Sequence, residues 1–445
     1  MKPELLAPAG TLKNMRYAFA YGADAVYAGQ PRYSLRVREN DFNLERLAQG
    51  IELAHAQGRK FYVASNIAPH NAKVKTYMAD MEPVIAMGPD ALIMSDPGLI
   101  MMVRERWPEM PIHLSVQANV VNYAAVQFWQ RQGISRIILS RELSLEEIEE
   151  IRQRCPEMEL EVFVHGALCM AYSGRCLLSG YINRRDPNQG TCTNACRWKY
   201  QAHEAKTDDT GDLIPVAPAE PQVWSPEEQG EQDSGLKAFL LQDASRPGEY
   251  MPAYEDEHGT YIMNSKDLRA IQHVQRLAQM GIHSLKIEGR TKSHYYVART
   301  TQAYRQAIDD AAAGKPFDMS LMDTLEKLSN RGYTEGFFRR HVHDEYQNYE
   351  RGTSVSEKQQ FVGEVMELIS ERNEILVNVK NRFGVGSSLE LMTPQGNLNF
   401  QLTHLLDKNG QSIEVAPGSG HIVRIPLPVQ VQGALDYALV MLNLS

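Results

Sequence analysis

The sequence contains little cysteine, no long apolar segment and no excess of positive charge. Five of its 445 residues are cysteine, and the formal net charge is −9. The longest apolar candidate, residues 91–103, is interrupted by Asp96 and Pro97, so it is shorter than the roughly 18 residues that predict a membrane span. No basic segment followed by an apolar one opens the chain, as a signal peptide would. We therefore expect a cytoplasmic protein without a membrane partner, and not one that coats nucleic acid through its overall charge.

Two kinds of motif are also missing. After the first predicted strand, the residues Ala7-Pro8-Ala9-Gly10 lack the glycine spacing of a dinucleotide-binding loop. Neither the G-x-S-x-G turn of serine hydrolases nor the H-E-x-x-H helix of zinc peptidases occurs. The sequence therefore contains no local motif for a Rossmann cofactor or for these two peptidase mechanisms.

The few cysteines that are present are clustered. Four of them follow the predicted buried strand 160–164 with the spacing C-x6-C-x15-C-x3-C: Cys169, Cys176, Cys192 and Cys196. Thiols in a reducing compartment stay reduced, so such a cluster indicates a metal or redox centre. A disulfide pair and four small buried side chains are the alternatives.

The spacing favours iron over zinc. Structural zinc sites use short C-x2–4-C pairs, and only Cys192 and Cys196 form one. The wider interval between Cys169 and Cys176 contains glycine and serine, and ligation by four thiolates suits a 4Fe–4S cluster. Cys155, which follows a predicted helix, has no partner at a suitable spacing and is predicted to be a packing residue.

The first two thirds of the chain alternate short apolar segments with amphipathic ones. Helices are predicted over 11–20 (capped by Thr11), 43–57, 124–132, 145–154 and 267–280. Strand–helix units in series predict an α/β fold, a TIM-like (β/α)8 barrel, with an open doubly wound sheet as the alternative. The eight predicted strands are 5–8, 25–28, 61–64, 91–94, 112–116, 136–139, 160–164 and 284–287.

Two other segments differ from this pattern. Residues 201–258 are acidic and poor in large apolar side chains, which predicts an insertion after the cysteine loop, either a surface excursion or a lid. From residue 359 the chain is β-rich with turn residues between the apolar runs, which predicts a small C-terminal β-barrel. We expect a barrel domain over 1–345 and a β domain over 355–445.

Candidate site residues follow from the barrel prediction, because active sites of such barrels lie at the carboxyl ends of the strands. Arg141 and Arg290 are expected there and suggest an anionic substrate, since a guanidinium binds carboxylates with two hydrogen bonds. The alternative is that they form structural ion pairs with the neighbouring Glu142 and Glu288. The other polar residues expected at these strand ends are Ser65, Asn66, Ser95, Asp96, Gln117 and Asn119.

His165 lies next to the cysteine segment. This position suggests a role in proton transfer, because imidazole titrates near neutral pH. The alternative is a hydrogen-bonded histidine of the core.

The segment 161–179, which contains Cys169 and Cys176, resembles the signature of peptidase family U32, the collagenase-like peptidases. The resemblance extends over essentially the whole chain and includes the segments 4–10, 115–119, 260–268, 286–290 and 330–338. Within that family the sequence is most similar to the bacterial branch that hydroxylates tRNA. Members of this branch make 5-hydroxyuridine at the wobble position without oxygen and depend on prephenate.

The resemblance implies a TIM-like barrel, a 4Fe–4S cluster bound by the four clustered cysteines, prephenate as co-substrate and tRNA as partner. It assigns neither an electron donor nor the residues that bind prephenate, a small dicarboxylate, so Arg141, Arg290 and His165 are our own assignments. A collagenase-like peptidase and a non-catalytic iron–sulfur protein that binds RNA or senses redox state are the alternatives. With the β domain orienting the RNA, the basic residues expected to contact it are Arg184, Arg185, Arg197, Lys199, Arg331, Arg339 and Arg340.

Overall fold

The computed structural model describes residues 2–35, 41–168, 266–330, 332–339, 358–431 and 434–444, together with the backbone of five strands between residues 200 and 260. Several predicted functional residues lie outside these ranges. They are Cys169, Cys176, Cys192, Cys196, Arg184, Arg185, Arg197, Lys199, Arg331 and Arg340.

Eight parallel strands close into a barrel. The last of them pairs with both the first and the seventh strand, and this closure excludes the open doubly wound sheet. Each strand overlaps one of the predicted strands, so the TIM-like prediction is confirmed. The strands are β1 (Glu4–Pro8), β2 (Ala25–Gly29), β3 (Lys60–Ser65), β4 (Ala91–Met94), β5 (Ile112–Leu114), β6 (Arg136–Ile138), β7 (Glu159–Ala167) and β14 (Ser284–Ile287).

Helices follow the strands and cover the outside of the barrel. The first begins after Thr11, whose side-chain oxygen accepts a hydrogen bond from the Asn14 amide at 3.0 Å, as the predicted cap requires. The helices are α1 (Leu12–Ala20), α2 (Leu44–Ala56), α3 (Asn71–Ala86), α4 (Pro97–Arg106), α5 (Tyr123–Arg131), α6 (Leu145–Arg154), α7 (Val274–Met280), α8 (His294–Ala312) and α9 (Ser320–Glu326). Within the described ranges, none is both long and apolar enough to cross a membrane.

The predicted helix over 267–280 is wrong in its first half. Asp267–Arg269 is strand β13, which pairs antiparallel with the end of β7 and parallel with β15 (Tyr333–Thr334). Strand β6 pairs with β7 only as far as Glu161, so the edge of β7 beyond it has free backbone groups that β13 satisfies. Local periodicity contains no information about such a distant partner.

The insertion contains a sheet that the sequence analysis did not predict. Its five antiparallel strands are β8 (Tyr200–Thr207), β9 (Leu213–Pro215), β10 (Lys237–Asp243), β11 (Tyr250–Asp256) and β12 (Gly259–Thr260). The described chain leaves the barrel at Leu168, after β7, and returns in β13, where Asp267 is registered with Ala167. The cysteine segment and the insertion are therefore attached at the carboxyl end of β7.

The C-terminal domain is all-β, as predicted, with a hydrophobic core of its own. Seven antiparallel strands form a sheet in the order β20-β19-β24-β16-β17-β23-β21, and β18 pairs with β22; over residues 358–444 the described ladders do not join β20 to β21. The strands are β16 (Gln359–Ile369), β17 (Glu374–Val379), β18 (Phe383–Gly384), β19 (Ser388–Thr393), β20 (Gly396–Gln401), β21 (Leu406–Asp407), β22 (Val415–Ala416), β23 (Ile422–Pro426) and β24 (Leu439–Asn443).

The β domain packs against helices α1 and α8 of the barrel. Arg299 of α8 is fully buried and its Nη2 lies 2.8 Å from a carboxylate oxygen of Glu390 in β19. The hydroxyl of Tyr21, which follows α1, donates to the carbonyls of Met392 and Tyr437 at 3.2 and 3.0 Å. The contact therefore involves specific buried polar groups in addition to apolar packing.

Candidate active site at the barrel mouth

The mouth of the barrel, where the carboxyl ends of its strands meet, has a cationic side. Here the Arg141 guanidinium lies over the Phe163 ring, 3.9 Å from its centroid, and donates to the Ala167 carbonyl. Its Nε is buried and has no hydrogen-bond partner among the described residues, and no described carboxylate lies within ion-pair distance. Glu142 instead accepts a hydrogen bond from the Ser140 hydroxyl. The described contacts therefore contain no Arg141–Glu142 bridge.

Arg290 follows β14 on the same side. Its Nη2 donates to the Leu35 carbonyl at 2.7 Å, and its guanidinium lies 5.7 Å from the centroid of the Tyr27 ring. The side chain crosses Gly29 so closely that a Cβ there would lie 2.7 Å from Nη1. The end of β2 and the segment that follows it thus position this guanidinium.

Lys286 is a third cation between the two arginines, and the sequence analysis did not assign it to the site. It is buried, with Nζ 4.3 Å from the Tyr27 ring centroid and 5.3 Å from that of Phe163. Its Nζ also lies 2.8 Å from a carboxylate oxygen of Glu161. The available signal was a single charged residue in the otherwise apolar end of strand 284–287, facing the barrel interior.

The interior charges below the mouth are paired. Burial alone would raise the pKa of Glu161, but the charges of Lys286 and Arg136 outweigh it and lower that pKa. Arg136 also lies 2.6 Å from Glu4 and 2.8 Å from Glu159. The carboxylates inside the barrel therefore balance Arg136 and Lys286, whereas Arg141 has no described carboxylate partner, so its charge is available for an anionic ligand.

His165 turns away from these cations. Strand β7 contains a bulge: Lys286 is registered with Phe163 but Ile287 with His165, so one extra residue changes the side to which the chain points. The imidazole packs against tyrosines of α8 and β15, with ring centroids 5.5 Å from Tyr304 and 5.5 Å from Tyr333. Burial lowers its pKa to about 3, so the ring is neutral. These surroundings are those of a core histidine, and the proton-transfer role stays a prediction.

The opposite side of the mouth is formed by amides and hydroxyls. Asn66, after β3, donates from Nδ2 to Oε1 of Gln117 at 2.8 Å, and Ser95, after β4, donates to the Asn66 carbonyl at 3.1 Å. Asn119 has a left-handed backbone (φ 54°), and its Nδ2 donates to the Gln117 carbonyl at 2.7 Å. Asp96 instead caps α4 by accepting from the Leu99 amide.

The residues that could bind a metal lie beyond the end of β7. Within the ranges described, no group of three or more His, Cys, Asp or Glu side chains is placed to hold a metal ion. Cys155 is a buried free cysteine with Sγ 3.6 Å from the Tyr123 carbonyl oxygen, which is a packing position. The four clustered cysteines begin two residues after Ala167, whose carbonyl Arg141 contacts. Four thiolates are a donor set that suits an iron–sulfur cluster.

The fold and the mouth define a (β/α)8-barrel protein with a cationic site and an appended β domain. The chain belongs to peptidase family U32: the family model matches residues 10–348, and that of the family's C-terminal domain matches residues 357–435.

Two curated relatives are similar along the whole chain. The chain is 67% identical to a protein of Escherichia coli called tRNA hydroxylation protein P, with 100% of this chain and 97% of the relative covered. It is 62% identical to the protein of the same name from Haemophilus influenzae, with 100% and 96% covered. Among solved structures, a U32 peptidase aligns with a TM-score of 0.33 and 13% identity, over 38% of this chain and 70% of that one.

Proposed function

We propose that this chain is a tRNA-modifying enzyme that hydroxylates the wobble uridine to 5-hydroxyuridine in an oxygen-independent, prephenate-dependent reaction. The observation that carries the proposal is the full-length similarity, at 67% identity, to a relative named for tRNA hydroxylation. The cationic mouth supports it independently, because prephenate is a dicarboxylate and guanidinium groups bind carboxylates well.

The site for the 4Fe–4S cluster is Cys169, Cys176, Cys192 and Cys196 in this proposal. With all four irons ligated by cysteine, such a cluster would supply one-electron transfer beside the substrate. Two described features support its location at the mouth. The segment that contains the cysteines begins after Leu168, at the end of β7, and returns at Lys266, just before β13, which pairs with β7. In addition, Arg141 contacts Ala167, the last residue of β7.

The co-substrate binds on the cationic side in this proposal. Arg141 and Arg290 each bind one carboxylate of the co-substrate. The Arg141 guanidinium lies over the Phe163 ring, and that of Arg290 lies near the Tyr27 ring. Lys286 remains paired with Glu161 beneath both guanidinium groups. The neutral, outward-facing His165 has no described contact with Arg141, Arg290 or Lys286. Anion binding in this proposal therefore does not require proton transfer by His165.

The target base enters the mouth after leaving the anticodon stack, as enzymes that modify a base require. Of the basic residues predicted to contact RNA, Arg339 is the one that the structure describes. Its side chain is 68% exposed beside Glu335, in the turn after β15, which is registered with β13. Arg339 therefore follows the strand that pairs with β13, where the insertion returns, and in this proposal it contacts the RNA backbone.

The peptidase alternative finds less support. A serine or cysteine peptidase needs a nucleophile hydrogen-bonded to a base. In the described residues no serine or cysteine is bonded to a histidine; Ser65, for example, is paired with the Tyr77 hydroxyl at 2.9 Å. Together with the missing hydrolase motifs, this favours hydroxylation.

Anaerobic preparation of the cysteine variants tests the proposal. We expect the wild type to be brown, to contain iron and sulfide, and to form 5-hydroxyuridine in tRNA when prephenate is added, measured by mass spectrometry of the digested RNA. Alanine at any one of the four clustered cysteines should abolish both colour and product, whereas Cys155→Ala should retain them. Stoichiometric zinc without sulfide, or product formation by the four variants, would contradict the proposed role of the cluster.

A further inference from the structure

The amide side of the mouth is a hydrogen-bonded chain with a defined direction. The Leu35 backbone N–H donates to Oδ1 of Asn66 at 3.2 Å, and a backbone N–H can only donate. Asn66 must therefore present its NH2 group to Gln117, and the Nδ2–Oε1 distance is 2.8 Å. The Ser115 hydroxyl also donates to Oε1 of Gln117. The side-chain oxygen Oε1 of Gln117 thus accepts two hydrogen bonds. The orientation of the amide is determined by the Leu35 N–H, acting through Asn66.

The amide nitrogen of Gln117 is the end of this chain. In the part of the protein that the structure describes, Nε2 of Gln117 donates to no protein group. The side chain is partly exposed in the turn Val116–Ala118, directly after β5, and Asn119 holds that turn by donating to the Gln117 carbonyl. Gln117 therefore presents an oriented hydrogen-bond donor at the mouth.

We propose that Nε2 of Gln117 donates a hydrogen bond to O4 of the target uracil and thereby selects uracil over cytosine. The inference rests on the proposed function and adds to it the group that recognises the base. Uracil has a carbonyl at position 4, whereas cytosine has an amino group there, so the same donor would meet another donor. Sites that hydrogen-bond one substrate reject an analogue that leaves their polar groups unpaired.

The same hydrogen-bonded chain also connects the proposed base site with the proposed anion site. The backbone of Leu35 orients Asn66 through its N–H and accepts from Nη2 of Arg290 through its carbonyl. The backbone of one residue therefore links the donor for the base to a guanidinium of the cationic side. A base bound to Gln117 and a carboxylate bound to Arg290 occupy opposite sides of the same mouth.

Gln117→Glu is the sharpest test, because it keeps an oxygen for Asn66 and Ser115 and replaces the donor by an acceptor. The full-length holoprotein is assayed with two anticodon stem-loops that differ only in U or C at the wobble position. Binding is measured by fluorescence anisotropy and product by mass spectrometry. Gln130→Glu, on the exposed outer part of α5, makes the same charge change away from the mouth. Gln117→Ala removes the donor without adding charge, and thermal melting verifies the fold of each variant.

We expect the wild type and Gln130→Glu to bind the U-containing loop about tenfold to hundredfold more tightly than the C-containing loop, since one hydrogen bond is replaced by an unpaired donor. Gln117→Ala should lose most of this ratio, and Gln117→Glu should abolish or reverse it. The inference is overturned if the wild type does not discriminate, or if a folded Gln117 variant keeps the wild-type ratio. A wild type whose binding ratio depends on Gln117 but which forms no 5-hydroxyuridine would sustain this inference and defeat the proposed function. Unchanged binding ratios in the Gln117 variants, together with normal hydroxylation, would overturn this inference and sustain the proposed function.

Discussion

At the scale of single residues, the difference between Arg136 and Arg141 indicates where a ligand binds. Arg136 lies inside the barrel within 3.3 Å of carboxylate oxygens of Glu4, Glu159 and Glu161. Arg141 is held by an aromatic ring and one carbonyl, and its Nε has no described partner. The side chain is half-buried and has no carboxylate partner among the described residues, which favours an anionic ligand as its partner at the mouth.

We predict that Arg141→Ala and Arg290→Ala weaken prephenate binding while leaving the cluster spectrum intact. Each substitution removes a charge-assisted contact of about 1.5–3 kcal/mol, so the apparent affinity for prephenate should fall roughly tenfold to hundredfold. Turnover at varied prephenate measures this. Arg106→Ala, at a site 64% exposed on α4, is the matched control. Wild-type activity of both mouth variants at limiting prephenate would return these arginines to a structural role.

At the scale of elements, the bulge in β7 decides what the mouth contains. The extra residue directs Phe163 inward and His165 outward, although their spacing in the sequence predicts the same side. Gly166 follows with φ of 106°, a left-handed conformation, and packs against the backbone of Glu288. The bulge therefore lies where β7 pairs with the end of β14, just before the cysteine segment leaves β7.

We predict that Gly166→Ala destabilises the barrel by about 2–4 kcal/mol, since the unfavourable φ costs about 1–2 kcal/mol and the clash adds to it. A Cβ at this position would lie 2.6 Å from the Glu288 carbonyl oxygen. Gly420→Ala is the control, because it has a positive φ of 91° with nothing within 4 Å of its Cβ. Urea unfolding of both variants measures the difference, and equal losses would show that the close contact with Glu288 is unimportant.

At the scale of the whole molecule, buried charges join the two domains. Glu390 of the β domain accepts from Arg299 at 2.8 and 3.0 Å, and Nζ of Lys327 lies 3.5 Å away. Burial would raise the pKa of Glu390, but the hydrogen bonds and charge of Arg299 outweigh it and lower the pKa to about 2. Removing the β domain would leave Arg299 without this partner, so substitutions are better tests of domain docking than truncation.

We predict that Glu390 stabilises the docked protein fully above its ordinary pKa near 4.5, and that this stabilisation is lost as the pH falls towards 2. The sign follows from the lowered pKa, because the unfolded chain takes up the proton first. The contribution is on the order of 3 kcal/mol. Glu390→Gln should lower the melting temperature most at pH 7 and progressively less towards pH 3. The exposed Glu371→Gln should be neutral throughout, and a loss for Glu390→Gln that is independent of pH would contradict the assignment.

The barrel could be predicted because each strand buried on both faces is a short apolar run between amphipathic helices. Caps such as Thr11 act within one turn and were predictable for the same reason. Strand β13 was missed because its partner, the free edge of β7, lies 102 residues earlier for the pair Leu268 and Gly166. Lys286 was missed because a lone lysine in a strand looks like a solvent-exposed edge until closure of the barrel surrounds it.

The sequence by itself determined the eight-strand barrel, the β domain and the residue types at the strand ends, since these depend on local apolar periodicity and on chain order. Only the tertiary structure decided which side chains meet: the register shift that turns His165 outward, the three cations around Tyr27 and Phe163, and the Leu35 N–H that orients Asn66 and, through it, Gln117. These relations depend on contacts between strands far apart in the chain, where a shift of one residue reverses the side to which every following side chain points.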